Sequence, residues 1–105
     1  MSHYTLINTT NEVIQMFVMN EPTVNDAVNN PSVSQVIVID PISRLSFSNN
    51  SRSVVVALEQ HRMIYTKLTG LLVASNTYLD STAAYVSGYL LNLYQLDNGI
   101  TYIIN

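Results

Sequence analysis

A chain of 105 residues, 48% of them apolar, is long enough for one domain to bury a core without disulfides or structural metals, and the absence of cysteine removes thiolate chemistry altogether. Only 10% of the residues are charged, four Lys or Arg against seven Asp or Glu for a net charge of -3, compared with about 25% charged residues in an ordinary domain. That balance excludes a basic nucleic-acid footprint and leaves a neutral surface of amides and hydroxyls, which repels copies of itself weakly.

Taken in order, Tyr4-Thr5-Leu6-Ile7-Asn8 reads as a short strand rich in β-formers. Thr9, Thr10 and Asn11 are cap candidates, and Glu12 suits the positive end of a helix over Val13–Val18, although the same residues also fit a buried strand. Pro22 opens a short helix through Val24, Ala27 and Val28, which Asn30-Pro31 ends. Residues 33–39 form the clearest strand, because Val36-Ile37-Val38-Ile39 are all β-branched, which fits a buried, central strand. Residues 44–48 alternate polar and apolar, with Leu45 and Phe47 turned inward.

The long stretch from Val54 to Leu96 organises the rest. Val54, Leu58, His61, Tyr65, Leu68 and Leu72 recur every three or four residues, which predicts a helix over 54–74. Gly70 weakens it by roughly 1 kcal/mol relative to Ala. A second helix is expected over 77–89, with Leu79, Ala83 and Val86 on one face and Tyr78, Tyr85 and Tyr89 beside them. Residues 90–96 admit two readings. Either Asn98-Gly99 turns a hairpin between 90–96 and 100–104, or Gly99 ends a helix and only 100–104 is a strand.

No segment approaches the roughly 18 apolar residues of a membrane span. Met1-Ser2-His3-Tyr4 does not open a signal peptide, so a cytoplasmic or virion-associated setting is expected. The four cations, Arg44, Arg52, Arg62 and Lys67, all fall in the middle of the chain, between acidic flanks with which they can pair.

Motifs with chemistry attached are scarce. His61 is the most tempting general base, but a histidine on an apolar face reads as a hydrogen-bonded boundary residue. The strand ending in Asp40 resembles the magnesium-binding strand of nucleotide hydrolases, yet no GxxxxGK[ST] loop accompanies it, so Asp40 reads as a turn residue before Pro41. Two histidines without cysteine give no metal-ligand spacing. No catalytic set, metal or cofactor is expected.

The expected fold is a single α+β domain over residues 1–105, with a short mixed or antiparallel sheet (4–8, 33–39, 44–48, 100–104) against the two helices. The expected function is a non-enzymatic, self-associating structural or assembly protein, such as a virion or surface-assembly subunit. Tyr78, Tyr85 and Tyr89 are its interface candidates, since tyrosines supply contact area at low entropic cost. The alternative is a small oligomeric binding module holding an anionic ligand or inhibiting a protein partner, with His61, Arg62, Tyr65 and Lys67 as its site.

Overall fold

Three β-branched residues in succession, Val54, Val55 and Val56, favour extended backbone, and in the computed structural model, which describes residues 1–105, they lie in a strand. The chain forms β1 (Ser2–Asn8), β2 (Ile14–Met19), α1 (Val24–Asn29), β3 (Val33–Ile39), β4 (Ser43–Asn49), β5 (Ser53–Glu59), β6 (Ile64–Thr69), β7 (Ala74–Tyr78), β8 (Thr82–Val86), β9 (Tyr89–Asp97) and β10 (Thr101–Ile104). Strands hold 60% of the residues and helix 6%.

The strands form two five-stranded sheets. The first has the order β4-β1-β10-β6-β7 and the second β3-β2-β5-β9-β8. The β1–β10 pair is parallel, and every other neighbouring pair is antiparallel. The inner faces pack together as a sandwich. Tyr4, Leu6, Ile64, Tyr102 and Ile104 of the first sheet meet Met16, Val18, Val56, Leu58, Tyr94 and Leu96 of the second in one 14-residue core.

The second sheet is covered on its outer face too. There Met19, Val55, Ala57, Ala84, Val86, Leu91 and Leu93 form a second cluster with Ala27 of α1. Thr23 caps that helix, accepting from the Asp26 amide at 3.2 Å. One end of the sandwich is tied by buried Asn8, whose Nδ2 donates to the Glu12 and Asp40 carbonyls at 2.8 and 3.0 Å. At the other end the Tyr4 hydroxyl donates to the Ser51 carbonyl at 2.6 Å, and the Tyr102 hydroxyl accepts from the Asp97 amide at 2.7 Å.

The expected α+β architecture is overturned. Of the four segments expected in one sheet, 4–8, 44–48 and 101–104 are strands of the first sheet, whereas 33–39 is a largely exposed edge strand of the second, not a buried central one. The short helix at 24–28 is present, but 13–18, 54–74 and 77–89 contain no helix. Two physical reasons account for the error. Strand β5 is buried on both faces, so Val54 to Leu58 shows no polar–apolar alternation to separate it from a buried helix. Ser87 and Gly88 both take positive φ, 51° and 85°, and close a tight two-residue hairpin between β8 and β9 where a continuous helix was expected.

Residues 90–96 are strand, in β9. The Asn98-Gly99 turn does not close a hairpin, however: β9 belongs to the second sheet and β10 to the first, so the turn carries the chain between sheets.

Candidate functional site

Hairpin β6–β7 leaves the body of the sandwich. Strand β6 pairs with β10 at Ile64↔Ile104 and Tyr65↔Ile103, whereas its pairing with β7 continues from Tyr65↔Tyr78 to Thr69↔Ala74. The base is anchored. Tyr65 and Tyr78 rings lie 5.2 Å apart, the Leu79 amide donates to the Ile64 carbonyl at 2.9 Å, and the Leu79 side chain packs on the core. Beyond Thr66 the hairpin is a two-stranded ribbon closed at its tip by the Gly70 amide donating to the Val73 carbonyl at 2.8 Å.

The ribbon carries its apolar residues into solvent. Leu71 and Leu72 are exposed to 104% and 96%, with Leu68 at 70% and Val73 at 66%. Lys67 is the single charged residue of segment 67–76. β-Formers such as Thr66, Thr69, Thr77 and Tyr78 explain why the ribbon is extended. They do not explain its apolar end, because a lone two-stranded ribbon is at best marginally stable in water. Exposed aliphatic clusters of this kind mark interaction sites.

A second apolar surface lies on the outer face of the second sheet, away from α1. Gln15, Phe17, Glu59, Tyr89 and Leu91 line a recess of about 120 Å³ with an apolar floor. Val36 and Val38, directly opposite Phe17 and Gln15 on edge strand β3, extend the apolar surface and are themselves exposed. A larger, shallower groove of about 500 Å³ beside α1 has a mixed lining, with Thr23, Asn25, Thr82 and Gln95 beside Val24, Leu79 and Leu93 and with Asp80 its one ionisable residue.

The structure separates the residues that sequence spacing grouped. His61 sits in the exposed β5–β6 turn with Nδ1 3.5 Å from Glu59. Arg62 is turned into the protein. Its Nη2 donates to Glu12 at 2.6 Å, and its carbonyl accepts from the Tyr94 hydroxyl at 2.9 Å. Tyr65 and Lys67 stand on the outer face of the first sheet, where Tyr65 pairs with Ile103 and Tyr78. These four side chains therefore do not converge on one cavity.

The interface tyrosines are separated as well. Tyr78 lies on edge strand β7, opposite Tyr65. Tyr85 is on edge strand β8, opposite Leu90, and Tyr89 opens β9 opposite Val86, on the other face of the same sheet. All three are exposed. Only Tyr89 lines the recess.

Burial raises the pKa of the Tyr4 and Tyr102 hydroxyls above the ordinary 10.0; the nearby Asp97 carboxylate adds to this, and hydrogen bonds from Ser2 to Tyr4 and from the Asp97 amide to Tyr102 oppose it. Both hydroxyls brace loops at one end of the sandwich. No three His, Asp or Glu side chains gather in a metal-binding group, and no helix is long and apolar enough to cross a membrane.

The aliphatic arm was missed by spacing arguments because Leu68 and Leu72 fell on the expected helix face. The available signal was Gly70 between β-forming segments, a hairpin pattern. No family model matches the chain, and neither does any curated protein or solved structure.

Proposed function

We propose that this protein is a non-enzymatic assembly subunit that works by associating with copies of itself through the β6–β7 arm. The observation that carries the reading is the arm itself: four aliphatic side chains, Leu68, Leu71, Leu72 and Val73, held in solvent on a projecting ribbon with one charge. Burying each contributes about 1.5–3 kcal/mol. Together they offer a gross of roughly 6–12 kcal/mol, of the same order as the roughly 4–15 kcal/mol lost on association. The arm alone supports weak association, and a stable assembly needs further contacts on the receiving surface.

The surface composition supports the same reading. With 10% charged residues, little long-range repulsion keeps copies apart. Edge strand β7 (Ala-Ser-Asn-Thr-Tyr) contains no charge or proline to deter pairing.

Light scattering across a wide concentration range tests the proposal. The expected result is a mass that rises above 11.7 kDa with concentration in the native chain, and stays at 11.7 kDa in Leu71→Ser/Leu72→Ser. A native chain that remains at the monomer mass at high concentration refutes it.

A further inference from the structure

Resting on the self-association reading, we infer that the arm of one copy seats in the Phe17–Tyr89–Leu91 recess of the next, so that the subunits join head to tail.

The placement of the two surfaces forbids the contact within one chain. Continuing the Tyr65↔Ile103 register along β6 sets Leu68 and the tip beyond the start of β10, at the end of the sandwich where the Asp97–Gly99 turn lies. The recess sits at the other end of the second sheet, where Glu59 pairs with Leu91 near the start of β9. Strand β9 runs from Tyr89 to Asp97 between these ends, a span of about 26 Å at the usual strand rise. The arm also belongs to the first sheet, whereas the recess opens on the outer face of the second.

Chemistry matches the two surfaces. The recess of about 120 Å³ approaches the size of engineered apolar cavities, about 150 Å³, that take up a benzene ring. Its apolar lining is buried Leu91, Phe17 and exposed Tyr89, so it suits an aliphatic side chain such as Leu71 or Leu72. The recess carries one charge, Glu59, and the arm carries one, Lys67. These are opposite in sign and both exposed.

A symmetric arm-to-arm contact lacks that match. It brings two Lys67 side chains to one interface, with no carboxylate anywhere in 67–76 to receive them. The head-to-tail contact leaves one arm and one recess free at the ends, so it propagates to a closed ring or an open filament.

The test mixes two defective chains. The arm variant is Leu71→Ser/Leu72→Ser, and the recess variant is Glu59→Lys/Tyr89→Lys; all four positions are exposed, and thermal unfolding of each variant checks that it folds. Glu59→Lys alone serves if the double recess variant does not fold. Each variant by itself is expected at 11.7 kDa. Mixed at a concentration where the native chain assembles, they are expected to form a 1:1 heterodimer and nothing larger, because one functional arm meets one functional recess. Native assembly combined with a mixture that stays monomeric, or with a recess variant that still assembles, overturns the head-to-tail contact and leaves self-association standing. A native chain that is monomeric overturns both. If that monomer sediments with zwitterionic phospholipid vesicles and the arm variant does not, the arm's occupant is a lipid surface.

Discussion

Two aliphatic runs lie close together in this chain and meet opposite fates. Val54 to Leu58 in β5 is wholly buried, its odd and even residues facing two different clusters. Leu71 to Val73, at the turn between β6 and β7, is wholly exposed. Hydrophobicity is nearly the same in both; the neighbours differ. Strand β5 has β2 and β9 on its sides, the first sheet beneath it and α1 above. The arm has only its own partner strand. A run like β5 belongs to the stability of the monomer, whereas a run like the arm contributes nothing until something covers it.

The largest expected effect lies in the body. Leu58→Ala, at a site with no exposure, should destabilise the fold by about 2–5 kcal/mol through lost burial and a cavity, read as a shift in the urea midpoint. A change below 0.5 kcal/mol there would mean that the two runs are not so different. Next comes the Arg62–Glu12 pair, in which the Arg62 side chain is 7% exposed and that of Glu12 69%. Glu12→Ala strands a buried cation and should cost about 1.5–3 kcal/mol. Arg62→Met leaves a solvated carboxylate and retains most of the packed stem, so it should cost less. Equal costs in chemical denaturation would place the pair's value in packing.

Alkaline pH probes the same body. The folded pKa values of Tyr4 and Tyr102 are raised, so their contribution is fully present below the unfolded value of about 10. It is lost as pH rises through the folded values, because the unfolded chain releases those protons first. Urea midpoints should fall above pH 10, and Tyr102→Phe should flatten that fall; an unchanged slope contradicts the assignment.

Smaller still is the expected gain from Ile42→Gly. Ile42 is exposed and holds φ at 49°, a conformation that disfavours β-branched residues. Relief of about 1–2 kcal/mol exceeds the roughly 0.5–1 kcal/mol entropy penalty of glycine, so the thermal midpoint should rise slightly. The smallest effect on monomer stability is expected at the arm: Leu71→Ser should change it by less than about 0.5 kcal/mol while weakening assembly.

What the sequence disclosed follows the same division. Strands β1, β3, β4 and β10 and helix α1 were legible from β-branched runs, alternation and proline punctuation. Strands β5 through β8 were not. Burial of β5 on both faces erased its alternation, and steps of three and four along 54–72 gave a helix-like face that the strands do not possess. Tyr78, Tyr85 and Tyr89 share one side of a helix but are distributed over both sheets when the segment is extended. The low charge pointed to association, yet composition cannot say which aliphatic residues face water. Leu71 and Leu72 became distinguishable from Leu58 only through the pairing of β6 with β7 beyond the start of β10.

The central claim is that the arm's aliphatic residues are covered by another copy. Amide hydrogen exchange of residues 67–76, followed from dilute to concentrated protein, tests it most directly. The account predicts fast exchange in the arm when dilute, slowing with concentration while β5 stays protected throughout. Arm amides that exchange equally fast at every concentration, in a chain whose mass nevertheless grows, would contradict it.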